Sequence, residues 1–261
     1  MMTRRSLIAG SAALPVAALA RETADDPARH LGATAYIDLA SPPIARRASE
    51  ARAGGRSDRD TALTLFELVR DEVRFGFAGG FWDMPASQVL LGRRGYCNTK
   101  STLFVALLRA AGIPARQVFV DIDAAVLHGI IDPGTPFVDH SYTEIFLNGA
   151  WRPTDAYIVD TPLFAVAQAR LGSEKRLLGY GVHVTGTNIW DGTSPSYAQY
   201  NILDKRTIGQ RSWGVFADIG DFYARAERPW NRLNPLLRMG FGMMATSANR
   251  RADALRATNP G

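Results

Sequence analysis

The chain has 261 residues, of which 46% are hydrophobic and 21% are charged, so it can fold around one sizeable core. This composition excludes an intrinsically disordered protein, and a net charge of +5 without a basic helix argues against nucleic-acid binding. Four His and one Cys, with no H-E-x-x-H or C-x-x-C motif, predict neither a metal site nor a cofactor.

The first twenty residues, MMTRRSLIAGSAALPVAALA, are predicted to be an export signal. Arg4 and Arg5 precede an Ala-rich, modestly apolar stretch that ends in an A-x-A cleavage sequence. The T-R-R-x-L-I pattern resembles a twin-arginine motif, and the alternative is an ordinary Sec signal. Pro15 interrupts the stretch, which is shorter than the ~20 residues needed to span a bilayer. We therefore expect a periplasmic or extracellular protein that has no stable membrane insertion once the signal is removed.

A variant with lysine at both arginine positions tests the twin-arginine prediction. Arg4→Lys with Arg5→Lys should leave the protein in the cytoplasm with its signal uncleaved, whereas the wild type should begin at Arg21. Cell fractionation with mass spectrometry of the N-terminus measures both properties. Appearance of the cleaved variant outside the cytoplasm would instead indicate the Sec route.

The next elements are an extension and two helices. Residues 21–57 are predicted to form an N-terminal extension with a strand at 35–39 and a loop at Gly54-Gly55. A helix capped by Ser57 or Asp58 should run to about residue 73, because apolar residues recur on one of its faces. A short helix should follow Pro85 and end at Gly92.

Cys97 is predicted to open the next helix. Gly112 and Pro114 should end this helix, and a strand should follow from Ala115 to Ile122. The apolar residues recur along one face, which indicates a buried stripe; they are Leu103, Phe104, Leu107, Leu108 and Ala111. A lone thiol cannot form an intramolecular disulfide, and a helix N-terminus lowers the pKa of a thiol. Cys97 is therefore either a reactive nucleophile or an inert buried residue.

The segment HSYTEIFLNGAWRPTD is predicted to be a hairpin turning at Asn148-Gly149. Counting outward from this turn places Tyr142 opposite Asp155, so that His140 and Asp155 share a face as diagonal neighbours. Their side chains are then within hydrogen-bonding reach. Asp139 should point to the opposite face. His140 could serve as the base for a thiol, with Asp155 as the acid that orients it.

Residues 161–261 are predicted to form a partly helical C-terminal extension. Residues 162–171 should form one helix, and residues 234–256 one or two more.

At these residues the sequence resembles the transglutaminase-like superfamily, a branch of the papain-like thiol enzymes. The resemblance lies in GRRGYCNTKSTLFVALLRAAGIPAR and in the His and Asp strands of the hairpin, and it covers about residues 58–160, the predicted catalytic core. It implies that Cys97, His140 and Asp155 are nucleophile, base and orienting acid. It also implies an α+β fold with the Cys helix packed on an antiparallel sheet.

Two further residues are weaker candidates. Gln88 lies nine residues before the Cys and could help to bind an oxyanion, although a surface polar residue is the simpler interpretation. Tyr96 departs from the small or acidic residue that often precedes the Cys in this family, so the resemblance does not define the shape of the pocket beside the thiol. Tyr96 is a second weak candidate for contact with the oxyanion or the substrate.

The predicted function is that of an exported, cofactor-independent thiol enzyme. It would act on amide bonds of a peptide or protein substrate through a Cys acyl-enzyme, with a cell-envelope peptide suggested by location alone. Hydrolysis is favoured over cross-linking. The alternatives are transglutaminase-type acyl transfer to an amine, or a non-catalytic binding protein that uses the same fold.

Overall fold

The computed structural model describes residues 26–199, 211–226 and 235–258. The predicted export signal lies outside the described residues. None of the described helices combines the length and the apolarity needed to cross a membrane.

Seven α-helices are formed in the described parts of the chain, and most agree with the sequence prediction. A π-helical turn, Leu68–Glu72, extends the second helix. Residues 235–256 form one helix rather than two. The helices are α1 Pro42–Gly54, α2 Asp58–Glu67, α3 Ala86–Gly92, α4 Cys97–Ala110, α5 Thr161–Glu174, α6 Ile219–Arg225 and α7 Pro235–Arg256.

The strands of the described residues are β1 Arg74–Phe75, β2 Arg94–Gly95, β3 Ala115–Asp123, β4 Phe137–Leu147, β5 Ala150–Thr154, β6 Leu178–Gly179, β7 Val182–His183 and β8 Ser212–Phe216. Four of them form an antiparallel main sheet in the order β5-β4-β3-β8. The other described strands form two pairs outside this sheet, β1 with β2 and β6 with β7. The predicted α+β class is confirmed, with the Cys helix packed on the main sheet.

The predicted strand at residues 35–39 is wrong. The Thr34 hydroxyl accepts hydrogen bonds from the backbone N–H groups of Tyr36 and Ile37, which bends the chain into a turn. Ile37 is fully buried, so the apolar residues of this segment anchor a turn rather than pair with a neighbouring strand.

Helix α1 was not predicted, because Pro42 and Pro43 resemble a loop. Both prolines instead occupy the first turn of the helix, where a missing N–H costs nothing. Ile44, Ala48 and Ala51 recur at helical spacing and are buried against the core.

Helix α4 lies at the centre of the molecule. Every residue from Cys97 to Arg109 is buried. The sequence pattern predicted that one face of this helix would be buried, whereas the helix is enclosed on all sides. Helices α1, α2 and α3 pack around it, and the sheet covers its remaining side. A helix enclosed in this way is held rigidly, which fixes the position of the thiol at its first residue.

Lys100 is the unusual residue of this buried helix. Its ammonium group donates hydrogen bonds to the carbonyls of Val73 at 2.6 Å and Arg70 at 3.2 Å, which lie at the end of the α2 and π-helical segment. A cation suits the carbonyl end of a helix. Burial nevertheless lowers the pKa of Lys100 to about 7, because the charged form loses its water.

Lys100 should therefore contribute stability that increases with pH between 7 and 8.5. The unfolded chain holds a proton on Lys100 up to its ordinary pKa of about 10.5, whereas the folded protein releases it at a pKa of about 7. The unfolded state thus binds more protons in this window, and Lys100 should raise the free energy of unfolding by up to ~1 kcal/mol per pH unit. Urea unfolding of the wild type and of Lys100→Met at both pH values isolates this contribution. An equal pH dependence in the two proteins would contradict it.

Candidate active site

Cys97 occupies the first position of α4. Two residues earlier, the backbone at Gly95 packs closely against side chains of the first turns of this helix. A Cβ atom added to Gly95 would lie 2.9 Å from the side chains of Lys100 and Thr99, so only glycine fits there. The backbone N–H of Tyr96 donates to the Thr99 hydroxyl at 3.1 Å, which closes the start of the helix. The glycine-bearing turn of the sequence motif therefore positions the thiol.

The Cys97 sulfur lies against β4, beside the backbone on both sides of His140. It is 3.9 Å from the Asp139 carbonyl oxygen, and the backbone N–H of Ser141 points at it from the other side. The side chain is only 8% exposed. The thiol and the predicted base therefore belong to one site, although they come from a helix and a strand 43 residues apart in the sequence.

The net shift of the thiol pKa is opposite to the one predicted from the helix start. Burial raises the pKa of Cys97, and the negative charge of Asp139 raises it further. The backbone N–H groups of Ser141 and Asn98 act in the opposite direction and are outweighed. An isolated thiolate is therefore disfavoured here, so reaction at neutral pH requires a partner that takes the proton.

His140 and Asp155 form the contact that the hairpin register predicts. The turn at Asn148-Gly149 has positive φ at both residues, and the observed pairing runs from Leu147 opposite Ala150 outward, as counted from the sequence. His140 Nε2 lies 3.0 Å from Asp155 Oδ2, and both side chains are fully buried. Strand β5 ends at Thr154, so Asp155 lies directly after the last residue that pairs with β4.

A segment beyond the predicted core fixes the second oxygen of Asp155. The Asp155 Oδ1 atom accepts a hydrogen bond from the backbone N–H of Ala198, and the Asp155 N–H donates to the Ser196 carbonyl at 3.0 Å. Thr154 and Ser196 also form a parallel β-bridge. Sequence reasoning missed this support, because a backbone N–H group has no side-chain signature.

A second polar cluster, which the sequence analysis also missed, surrounds Asp139. The Asp139 carboxylate accepts hydrogen bonds from the Asn98 amide and the Tyr223 hydroxyl, both at 2.6 Å. The Asn98 amide also donates to Tyr223 at 3.0 Å. As predicted, Asp139 faces the other side of β4 from His140, and these partners hold it there beside the thiol. The position of Asn98 directly after the Cys was the one available signal.

The two weaker candidates lie in different places. Gln88 has an exposed side chain on α3 and does not line the cavity at the thiol, so its suggested oxyanion role stays a prediction. Tyr96 is buried and stacks on Phe77 and Phe81, with ring centroids 5.4 Å away in each case. Its hydroxyl lies beside Asn98 and Tyr223, and burial raises its pKa well above the usual value.

A cavity of about 300 Å³ opens beside the sulfur, and Cys97 forms part of its wall. Tyr96 and Asp139 also line it. The described residues contain no group of three or more His, Cys, Asp or Glu side chains placed to hold a metal ion. The site therefore combines a thiol, an imidazole–carboxylate pair and a mostly apolar cavity.

Comparison with known protein families gives a match over the part of the chain that carries this site. Residues 45–156, which include Cys97, His140 and Asp155, match the family model of the transglutaminase-like superfamily. No curated protein matches the chain. A solved structure of a candidate cysteine protease from Cytophaga hutchinsonii is similar with a TM-score of 0.40 and 19% identity, over 54% of this chain and 43% of that chain. This chain thus spans less than half the length of that protein.

Proposed function

Because residues 45–156 match the family model of the transglutaminase-like superfamily, we propose that the protein is a thiol enzyme that cleaves amide bonds through a Cys97 acyl-enzyme. The observation that carries the proposal is the buried 3.0 Å contact of His140 with Asp155, with the sulfur held on the backbone that flanks His140. These are the parts of a thiol nucleophile, its base and the group that orients the base.

The first half-reaction begins with transfer of the thiol proton to His140. Asp155 engages Nε2, so we assign the proton to Nδ1. The sulfur attacks the amide carbonyl carbon, a C–S bond forms, and the carbonyl π electrons move to the oxygen. We assign the backbone N–H of Cys97 to this oxyanion, since the first N–H groups of a helix lack intrahelical carbonyl partners.

The amine then leaves and water completes the cycle. The oxyanion collapses, the C–N bond breaks, and the imidazolium gives its proton to the leaving nitrogen. Water next loses a proton to His140 and attacks the thioester carbon. The C–S bond breaks, a carboxylic acid leaves, and the sulfur recovers the proton. In acyl transfer, an amine would replace water in the second half, and the first half would be the same.

Because the thiol pKa is raised, His140 has to accept the thiol proton before or as the sulfur attacks. Burial and Asp139 disfavour a lone thiolate, so attack depends on a base that accepts the proton at the same site. Asp155 stabilises the imidazolium that results, at 3.0 Å from the ring nitrogen. The neighbouring charges therefore favour a thiolate–imidazolium pair over a free thiolate.

Alkylation of the single cysteine by iodoacetamide tests this proposal against an inert buried thiol. At pH 6, Cys97 of the folded enzyme should react faster than Cys97 of the same chain unfolded in urea, because pairing with His140 supplies thiolate below the ordinary thiol pKa. His140→Ala should bring the folded rate below the unfolded rate. His128→Ala, at an exposed position, is the matched control and should alkylate like the wild type.

A folded wild type that reacts more slowly than the unfolded chain would favour the non-catalytic binding protein. Turnover in the presence of a primary amine separates the two enzymatic outcomes, since acyl transfer yields the substituted amide and hydrolysis yields the acid. We also propose that the enzyme acts outside the cytoplasm, because residues 1–20 resemble a twin-arginine export signal.

A further inference from the structure

The cavity beside Cys97 is large enough for one side chain of a substrate. Its volume of about 300 Å³ is at the lower end of the range for ligand sites. A peptide stretch would need a longer groove, whereas a single large side chain fits a volume of this order. Because Cys97 forms part of the wall, we expect an acyl group bonded to its sulfur to lie at the cavity.

Aromatic rings form one wall of this cavity. Tyr96 stacks on Phe81 with the ring planes 8° apart, and Phe81 in turn stacks on Phe241 at 4.2 Å between centroids. Phe77 stacks on Tyr96 from another side. Aromatic side chains in the lining favour an apolar occupant, and an aromatic occupant gains further from ring–ring contacts.

Helix α7 brings Phe241 and Met244 to the cavity from the C-terminal part of the chain. Its position is fixed by Asn249, whose amide nitrogen donates to the Phe77 carbonyl at 2.8 Å and whose oxygen accepts from the Phe77 N–H at 2.9 Å. Such reciprocal bonds join α7 to the backbone of a residue that itself lines the cavity. The wall is therefore pre-organised before a substrate binds.

A second anchor holds the far end of α7. Arg256 donates to the Asp160 carboxylate and to the Phe75 carbonyl, both at 2.6 Å, and its side chain is 9% exposed. Phe75 also lines the cavity. Asn249 and Arg256 of α7 therefore each form a hydrogen bond with the backbone of a residue in the cavity wall.

The charged groups at the cavity are acidic. Asp132 and Asp139 line it, whereas the described lining includes no Lys or Arg side chain. The Asp139 carboxylate is held by Asn98 and Tyr223, so these contacts keep it in place beside the thiol. An acidic side chain on the substrate would meet repulsion without a compensating cation.

From this geometry we propose that the cavity selects an acyl donor with a large apolar, preferably aromatic, side chain next to the carbonyl that Cys97 attacks. The proposal rests on the proposed function and names its substrate class. Ala would leave the cavity largely empty, Glu would oppose the two carboxylates, and Phe would fill the aromatic wall.

Hydrolysis of N-acetylated amino acid 4-nitroanilides of Phe, Ala and Glu tests this selectivity. Burial of a Phe side chain provides ~1.5–3 kcal/mol, so kcat/KM for Phe should exceed that for Ala by roughly 10–150-fold. Glu should be turned over more slowly than Ala. Equal values for Phe and Ala, or a preference for Glu, would overturn the proposal while leaving the thiol enzyme intact.

A matched pair of variants on α7 locates the selectivity in the cavity. Met244→Trp should fill the space and reduce the Phe advantage over Ala to less than ~5-fold. Met243→Trp introduces the same side chain at the neighbouring position, which is 69% exposed and outside the lining, and should keep the wild-type preference. If both variants keep the preference, the cavity does not bind the acyl side chain.

A binding measurement covers the case in which no substrate turns over. Calorimetric titration of Cys97→Ala with N-acetyl-phenylalaninamide should show binding at least ~10-fold tighter than with N-acetyl-alaninamide. Met244→Trp in the same background should remove the difference. Equal affinities would contradict the pocket assignment independently of the chemistry.

Discussion

Cys97→Ala is expected to abolish both amide cleavage and acyl transfer. The sulfur is the only protein atom that bonds to the substrate in the proposed mechanism, and no other thiol can replace it because the chain has a single Cys. Release of 4-nitroaniline by the purified variant measures the loss, which should reach the background rate without enzyme.

Stability provides the control for this variant. The substitution removes one sulfur atom from the wall of an existing cavity, so the free energy of unfolding should change by less than ~1.5 kcal/mol. A folded variant without activity identifies a chemical role for the thiol. Retained turnover would remove the catalytic assignment.

Asp155→Asn is expected to lower turnover by roughly 10–10³-fold, less than the loss in Cys97→Ala. The amide keeps the size of the side chain but can invert its hydrogen bond with His140 Nε2 and favour the wrong imidazole tautomer. It also removes the charge that stabilises the imidazolium. The turnover rate from steady-state kinetics and the rate of alkylation at pH 6 should both fall.

Asp139→Asn is the matched comparison, and its alkylation should change in the opposite direction. The Asp139 charge raises the pKa of Cys97, so its removal should lower that pKa and speed alkylation at neutral pH. The Asp155 charge also raises the thiol pKa, but less than burial or the Asp139 charge does. For Asp155→Asn, we expect the loss of the 3.0 Å contact with the imidazole to outweigh this small effect on the thiol. If Asp155→Asn alkylates faster and Asp139→Asn more slowly, the two acids have exchanged roles.

Local signals in the sequence predict the catalytic hairpin and the Cys helix. Asn148-Gly149 fixes the turn, and the period of two along each strand then places His140 and Asp155 on one face. Gly112 and Pro114 end the helix that Cys97 opens. Each signal acts within a few residues, which is why it can be interpreted without a structure.

The support of the site comes from long-range contacts that no local pattern records. Ala198 reaches Asp155 through a backbone N–H group across 43 residues of sequence, and Tyr223 reaches Asp139 across 84. Strand β8 pairs with β3 although only five residues form it and none is fully buried. These contacts depend on how the C-terminal segments return to the sheet.

The direction of the thiol pKa shift also required the structure. A helix start favours the thiolate and lowers the thiol pKa. Burial of Cys97 and the nearby Asp139 charge raise that pKa by more, so the net shift is upward. Asn98 and Tyr223 determine where the Asp139 carboxylate sits, and only Asn98 is near the Cys in sequence.

Direct detection of the acyl-enzyme tests the central claim. The protein would be mixed briefly with N-acetylated 4-nitrophenyl esters of Phe, Leu and Ala, quenched in acid, digested and mapped by mass spectrometry. We predict an acyl group on the peptide that contains Cys97, removable by hydroxylamine as a thioester and absent from His140→Ala. Acyl groups on lysine residues alone, with Cys97 unmodified, would contradict the account.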